Sequence, residues 1–247
     1  EDNEAVSSVV EAGEIIERLR RNPRLDWWVP QAGAQFAPVE LPLHPYVIGV
    51  LLGDGELTQG AAQFSKAPRD REIVDRVRAL YPGDLVSYKA GATQRHRLRR
   101  AAPALEELGL LGKKSIEKHI PEVYRRASVE ERLELIRGLM DTDGTVDKKL
   151  GMPRFSSSSR QLAADFLEVI QSLGGAGRLE AKEAWLNGKQ HADHWNVWFR
   201  YDNGPSLFSL ARKKMLARVR KKFKVRRFFR KNESLGTPEP ERCIKVA

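Results

Sequence analysis

Val47-Ile48-Gly49-Val50-Leu51-Leu52-Gly53-Asp54-Gly55 is an apolar run that ends at an acid set between two glycines. A second run with the same character, Ile136-Arg137-Gly138-Leu139-Met140-Asp141-Thr142-Asp143-Gly144, follows 89 residues later. The pattern predicts two buried helices, over 45–52 and 129–140, each broken at the acid-glycine pair. Gly49 and Gly138 have no side chain, so two such helices can bring their backbones close together.

The sequence after each run indicates a duplicated unit. Phe64-Ser65 follows the first run and Phe155-Ser156 the second, and a predicted helix comes next, over 69–80 and 160–173. A glycine 19 residues after each phenylalanine marks the end of that helix. Equal spacing in both copies is the mark of a repeated supersecondary unit.

Strand-like segments complete each copy. In the first, 85–88 and 95–99 flank a turn at Ala90-Gly91-Ala92; in the second, 178–185 and 195–201 flank Asn187-Gly188, a strong hairpin dipeptide. Ser128 and Glu131 form a capping box before the second apolar helix. The fold predicted from these elements is α+β: two tandem copies of helix, hairpin, helix, hairpin, helix, each with an antiparallel sheet.

Two carboxylates at the ends of paired helices need a compensating charge. If the apolar helices pack side by side, Asp54 and Asp143 meet at the negative ends of two helix dipoles. A divalent cation such as Mg²⁺ turns this repulsion into binding, because it prefers carboxylate and carbonyl oxygens. For either segment alone, an ordinary helix-ending turn is the simpler interpretation. Two copies in matched contexts favour a metal site.

The two runs resemble the paired signatures of LAGLIDADG homing endonucleases, in the single-chain, intein-encoded-like branch. The resemblance covers residues 44 to about 231 and implies two pseudo-symmetric αββαββα halves whose sheets form a DNA-binding saddle. It implies that Asp54 and Asp143 bind the catalytic metals, with carbonyl oxygens from Gly53 and Thr142. Mg²⁺ is the implied cofactor, and Mn²⁺ or Ca²⁺ are possible substitutes. The first run departs from the signature at Leu52, where the second has Asp141.

The same resemblance places a catalytic lysine near each acid. Lys118-His119-Ile120-Pro121 resembles the Lys-x-Ile-Pro element of these enzymes, and Lys213 is the preferred counterpart in the second half. A lysine there can stabilise the transition-state phosphate or orient the attacking water. The alternatives are a solvated helix-end lysine at 118 and a contact to the DNA backbone at 213.

The charge distribution points to nucleic acid. The chain of 247 residues has 43 Lys and Arg against 33 Asp and Glu, a net charge of +10, and residues 212–231 contain twelve basic residues and no acid. Interleaved apolar residues predict that this basic run is a final helix facing DNA phosphates. The residues predicted to contact DNA are Lys66, Lys89, Arg95, Arg97, Arg99, Arg154, Lys182, Trp198, Arg200 and Lys214.

Other features exclude several classes of protein and site. No apolar stretch is long enough for a membrane span, and no secretory signal opens the sequence, so we expect an intracellular protein of the cytoplasm or nucleoid. Cys243 is the only cysteine, which excludes an internal disulfide and a cysteine-based zinc site. His191 and His194 have His-x-x-His spacing, but no other matching ligands stand near them, so an ordinary strand-turn segment is favoured over a transition-metal site.

The sequence therefore predicts a monomeric, site-specific DNA endonuclease. Residues 1–43 are predicted to form an N-terminal helix and a proline-rich arm, and residues 44–127 and 128–232 to form the two halves. Residues 233–247 are a tail that resembles an intein junction. The sequence has neither a splicing nucleophile at Glu1 nor a terminal His-Asn. The resemblance implies a pseudo-palindromic duplex target of about 20 base pairs, read through base edges, and products with short 3′ overhangs. The alternatives are a non-cleaving DNA-binding regulator and an RNA maturase.

Overall fold

The computed structural model describes residues 33–57, 62–186 and 189–219, the short strands 28–30 and 226–228, and residues 14, 17, 18 and 21; side chains at 183–193 are not described. The chain divides into two compact units, 31–225 and the two ends, 1–30 with 226–247. In the unit of the two ends, strand β1 (Trp28–Pro30) pairs antiparallel with strand β10 (Arg226–Phe228). The four described residues near the N-terminus are helical, and Arg18 and Arg21 form ion pairs with Glu14 and Glu17.

The first half of unit 31–225 begins with a helix that is buried along most of its length. Its elements are α1 (Pro45–Asp54), β2 (Gly55–Glu56), β3 (Ala62–Lys66), α2 (Arg71–Leu80), β4 (Leu85–Ala90), β5 (Thr93–Leu98), α3 (Ala102–Glu107) and α4 (Glu122–Arg125). Short 3₁₀ turns lie at Pro68–Asp70 and Ser115–Glu117. The strands form one antiparallel sheet in the order β2-β3-β5-β4.

The second half repeats this order. Its elements are α5 (Val129–Thr142), β6 (Gly144–Val146), β7 (Pro153–Ser157), α6 (Arg160–Ser172), β8 (Ala176–Leu186), β9 (Lys189–Arg200) and α7 (Ala211–Lys214), with a 3₁₀ turn at Gly204–Leu207. Its sheet has the order β6-β7-β9-β8, the counterpart of the first. The predicted α+β fold with two antiparallel sheets is confirmed.

Local sequence signals explain where the elements begin and turn. Ser128 accepts a hydrogen bond from the Glu131 amide at 3.3 Å, and Glu131 accepts one from the Ser128 amide at 2.8 Å, so the capping box is formed as predicted. The turn between β4 and β5 contains Gly91, whose φ of +62° explains the glycine. The predicted turn at Asn187-Gly188 lies outside the described residues.

Two predictions about element length need correction. Both apolar helices continue two residues further than expected: α1 ends at Asp54, and α5 ends at Thr142. The basic run is not one helix in its described part: a four-residue helix, Ala211–Lys214, precedes an isolated bridge from Val219 to Asn203 and the strand β10. Pairing with distant partners has overridden the helical spacing. The predicted tail 233–247 lies outside the described residues.

Helices α1 and α5 occupy the centre of the core and are covered by the two sheets and by α2 and α6. Ile48, Leu51, Ile136 and Leu139 are fully buried there, with Phe64 and Phe155 from the sheets. Among the described residues, no helix combines the length and apolar character that a membrane span requires.

Candidate functional site

The site lies where α1 and α5 end side by side, and two glycines bring them there. A Cβ added to Gly49 would lie 2.4 Å from the Leu135 carbonyl oxygen and 2.9 Å from the Gly138 Cα. A Cβ added to Gly138 would lie 2.4 Å from the Tyr46 carbonyl oxygen. The predicted backbone contact between the helices is therefore present, and it brings their C-terminal ends together.

The two predicted acids meet at these ends. The Asp143 Oδ2 atom lies 3.4 Å from the position that a Cβ on Gly53 would occupy, one residue before Asp54. Burial, and then the charge of Asp54, raise the pKa of Asp143 to about 6, against the opposing charges of Lys118, Lys66 and Lys213. The two carboxylates thus repel each other at short range, as the sequence predicts.

Two buried lysines bind the ends of the two helices in the same way. The Lys118 ammonium donates to the carbonyl oxygens of Leu51, Leu52, Gly53 and Gly55, at 3.0, 3.0, 3.3 and 2.7 Å. The Lys213 ammonium donates to those of Met140, Asp141, Thr142 and Gly144, at 2.9, 2.8, 3.0 and 2.6 Å. Each carbonyl of the second set lies 89 residues after its counterpart. Lys213 is therefore the residue of the basic run whose contacts correspond to those of Lys118.

These contacts define what the lysines can do. An ammonium group has three N–H donors, and each lysine faces four carbonyl oxygens at and just beyond the end of its helix, where donors from the helix itself run out. Burial lowers the pKa of each lysine to about 8, while the charges of nearby aspartates act in the opposite direction. Both lysines act first as positive caps on the negative ends of α1 and α5.

Asp141, the signature residue that Leu52 replaces in the first half, has a structural position. Its carboxylate is buried and accepts hydrogen bonds from the Tyr46 hydroxyl at 2.8 Å and from the Ser209 and Leu210 amides, both at 3.0 Å. Those amides immediately precede α7, which carries Lys213. Asp141 therefore holds the segment that delivers the second lysine, a role that sequence reasoning missed because both amides are distant along the chain.

Lys66 is the predicted DNA contact with the least expected location. Strand β3 alternates, with Ala62, Phe64 and Lys66 on its buried face, and the Lys66 side chain is only 7% exposed. Its ammonium forms an ion pair with the Asp54 carboxylate. Lys66 therefore belongs to the centre of the site and lies away from the open face of the sheet.

A cavity of about 310 Å³ opens beside the second acid. Its lining includes Asp143, Gly53, Lys118, Ser156, Ser157 and His194. The cavity thus adjoins Asp143, whose carboxylate is itself largely buried, and serine hydroxyl groups of the second half contribute to its wall. His191, the other histidine of the pair noted in the sequence, lies among the residues whose side chains are not described.

Strand register decides which predicted DNA contacts lie on the open face of the first sheet. Arg95 and Arg97 pair with Tyr88 and Val86 of β4, on the face opposite the helices. The hydroxyl of Tyr88 donates to Gln63 on the same face at 2.7 Å. Lys89 pairs with Gln94 and shares the helix-side face with the buried His96, although it is exposed. Arg99 is exposed just beyond the end of β5.

The open face of the second sheet holds the remaining predicted strand contacts. Arg154 and Trp198 are cross-strand partners, and the guanidinium lies 4.9 Å from the indole ring centre. Lys182 and Arg200 share this face, since they pair with His194 and Ala176 in the same register. Arg178 and Glu180, which sequence reasoning did not select, lie between them and form an ion pair at 2.5 Å. Lys214 is exposed at the end of α7.

Comparisons with known proteins identify a family model and a relative that match this chain. Residues 130–196 match the family model described as a LAGLIDADG-like domain. A replicative DNA helicase, DnaB of Mycobacterium intracellulare, is 32% identical over 216 residues, which are 85% of this chain and 33% of the helicase. The chain thus spans a third of the length of that relative.

Solved structures of low sequence identity match as well. I-DmoI in complex with DNA and Ca matches at a TM-score of 0.44 and 12% identity, over 64% of this chain and 83% of that one. I-DmoI in complex with DNA and Mn matches at a TM-score of 0.40 and 14% identity, over 64% of this chain and 89% of that one. The N-terminal LAGLIDADG domain of WhiA matches at a TM-score of 0.38 and 11% identity, over 64% of this chain and 75% of that one.

Proposed function

We propose that this chain, which belongs to the LAGLIDADG family, is a site-specific endonuclease that hydrolyses both strands of a DNA target with a divalent metal. The observation that carries the proposal is the meeting of Asp54 and Asp143 at the ends of α1 and α5, between two sheets with cations on their open faces. Such acids, in a basic chain, fit phosphodiester hydrolysis better than simple DNA binding, which needs no paired carboxylates.

The donor set fits Mg²⁺ bound jointly by protein and DNA. The described residues contain no group of three or more His, Cys, Asp or Glu side chains that could enclose a metal ion alone. Mg²⁺, however, is ordinarily bound through one or two carboxylates together with substrate phosphate oxygens and water. Asp54 and Asp143 would supply the carboxylates, and Gly53 and Thr142 carbonyl oxygens, each with a lone pair left beside its lysine bond. When bound, the metal activates water and stabilises the developing phosphate charge.

The chain's own groups prepare the site for this ion. Lys118 and Lys213 hold the terminal carbonyls of α1 and α5 in place, so that the two acids keep a fixed separation. Lys118 lies within electrostatic reach of both carboxylates, and Lys213 lies within reach of Asp143. These charges add to the stabilisation of a pentavalent phosphate. Because their N–H donors already face carbonyls, we assign them this positioning and electrostatic role ahead of direct donation to the phosphate.

Binding energy and sequence reading come from the sheets in this proposal. Arg95, Arg97, Lys182 and Arg200 lie on open faces from which they can contact phosphates and base edges in the major groove. Trp198 and Tyr88 add exposed aromatic surface between these cations. A pseudo-symmetric pair of sheets fits a pseudo-palindromic target, and the single chain that contains both halves fits a monomer.

The helicase relative indicates where to look for the target. A chain with a nuclease fold that matches one third of a replicative helicase is consistent with an insertion in that coding sequence, as in intein-encoded enzymes. We therefore propose that the target lies in an uninterrupted helicase gene, and that cleavage there leaves short 3′ overhangs.

The test is cleavage of a plasmid that carries an uninterrupted replicative helicase gene, in Mg²⁺ and in EDTA. A duplex library of random sequence is the second substrate, so that failure of one candidate site is not decisive. Asp54→Asn and Asp143→Asn should bind the selected duplex without linearising it. Binding without cleavage by the unaltered protein would identify a non-cleaving regulator, and preferential binding of structured intron RNA would identify a maturase.

A further inference from the structure

The two halves of the site differ at one pair of equivalent positions. Gly55 pairs with Phe64 in the first sheet, and Gly144 pairs with Phe155 in the second, so these two phenylalanines correspond. Two residues further along each strand, the first half has Lys66 and the second has Ser157. Both side chains are buried, at 7% and 8% exposure, so each occupies the same kind of position beneath its sheet.

This exchange changes the surroundings of the two acids. The Lys66 ammonium is bound to the carboxylate of Asp54. The Ser157 hydroxyl accepts a hydrogen bond from the Ser159 amide at 3.0 Å and brings no charge to Asp143. Asp143 instead borders the cavity of about 310 Å³. One acid is therefore bound by a cation from its own half, while the other forms no ion pair among the described residues and borders a cavity.

We propose that Lys66 occupies the Asp54 carboxylate until a divalent metal displaces it, so that metal binds the Asp143 half first and the strand beside Asp143 is nicked first. The proposal rests on the proposed nuclease function. A buried ammonium and a divalent cation compete for the same oxygen, and the ammonium must move before Asp54 can bind metal. No such displacement is needed at Asp143.

The protein provides a second acid near Lys66 once it is displaced. Asp70 lies within electrostatic reach of Lys66 and forms a hydrogen bond with Arg212 at 2.7 Å. Arg212 is adjacent to Lys213, the cap of the other helix. A displaced Lys66 thus keeps an anionic neighbour inside the protein, which lowers the cost of moving a buried charge.

The decisive measurement is Mn²⁺ binding to the protein on its selected target duplex, with the duplex alone as the blank, followed by the electron paramagnetic resonance signal of the unbound ion. In an Asp143→Asn background only the Asp54 half can bind the metal. Adding Lys66→Ser to that background should raise the affinity of the protein for Mn²⁺ by about tenfold or more, because that is the usual effect of one charged neighbour on a carboxylate. In an Asp54→Asn background the same Lys66→Ser change should raise affinity by a clearly smaller factor, because Lys66 acts on Asp143 through its charge but forms its ion pair with Asp54. Equal affinity with and without Lys66 in the first background, or no Mn²⁺ binding in any of these proteins, would overturn the proposal.

A strand-specific assay separates this proposal from the nuclease assignment. With the two strands of the target labelled differently, the unaltered protein should accumulate a nick in one strand, and Lys66→Ser should reduce that excess by at least a few-fold. Lys66→Met, which keeps the aliphatic stem, controls for packing, and circular dichroism checks folding of each variant. Cleavage with the same strand excess in all three proteins would refute the role of Lys66 alone. Absence of cleavage on every substrate would refute the nuclease assignment.

Discussion

Gly49 and Gly138 face each other across the α1–α5 crossing, and a Cβ on either would lie 2.9 Å from the Cα of the other. The neighbouring atoms on both sides are backbone, so the helices must separate to admit even one methyl group. The position of the two acids is therefore set by two residues with no functional group of their own.

Gly49→Ala and Gly138→Ala should each lower the free energy of unfolding by about 1–3 kcal/mol, the usual cost of overpacking a filled core. Urea unfolding measures the change. Gly109→Asn is the matched control, because Gly109 has a φ of +66° that Asn tolerates and no atom within 4 Å of an added Cβ. An alanine variant as stable as the control would show that the helices do not pack this closely.

Lys118→Met and Lys213→Met should destabilise the protein as well as impair cleavage. Each change leaves buried helix-end carbonyls without donors, at an expected cost of about 1–3 kcal/mol. Thermal unfolding of each variant tests this, with Lys214→Met as the control because Lys214 is the exposed neighbour of Lys213. Loss of cleavage at unchanged stability would instead favour a lysine that acts only on the phosphate.

Asp143 should make stability depend on pH in the metal-free protein. Its folded pKa, about 6, is above the ordinary value of 3.8, so the folded protein retains a proton that the unfolded chain has lost between these values. Its contribution to stability is present below pH 3.8 and is lost as pH rises through about 6. The difference between these two pKa values corresponds to roughly 3 kcal/mol of unfolding free energy at most.

Urea unfolding of the unaltered protein and of Asp143→Asn, at intervals from about pH 4 to about pH 7 in EDTA, isolates this contribution. The unaltered protein should lose stability relative to the variant as pH rises. Added Mn²⁺ should oppose the loss, and more strongly above about pH 6, where the carboxylate is ionised. Parallel curves for the two proteins would mean that Asp143 has an ordinary pKa.

Arg95→Gln should weaken binding to the target duplex and reduce the salt dependence of the affinity by about one unit in the logarithmic slope, as expected for the loss of one phosphate contact. Lys89→Gln removes the same charge from the neighbouring strand of this sheet, but from the helix-side face, and should leave the slope unchanged. Fluorescence anisotropy across a salt series compares them. Equal effects of the two changes would show that DNA does not contact the open face selectively.

Features that depend on neighbouring residues along the chain could be predicted from sequence. The capping box at Ser128 and Glu131, the glycine turn at Gly91 and the order of helices and hairpins all have local causes, and the structure has them where expected. The contact of Gly49 with Gly138 was also predictable, because only glycine pairs in matched apolar helices permit it. Helix ends were less exact, since α1 and α5 each continue beyond the predicted break.

Features that depend on distant partners could not be predicted in the same way. Lys66 was expected to contact DNA because it is a cation on a strand, yet the alternation of β3 turns it inward to Asp54. Lys89 was selected for the same reason and lies on the helix-side face, since strand register assigns every second residue to each face. The role of Asp141 depends on two amides at 209 and 210, far away in the sequence.

The sequence by itself determined the duplicated α+β fold and the pair of acids at its centre, because helical periodicity, caps and glycines act over a few residues. The tertiary structure decided which charges surround those acids. It placed Lys118 and Lys213 on helix-end carbonyls, bound Lys66 to Asp54 and left Asp143 beside a cavity. Ion pairs and strand faces depend on register and packing between segments that are far apart in the chain, and only the folded structure fixes these.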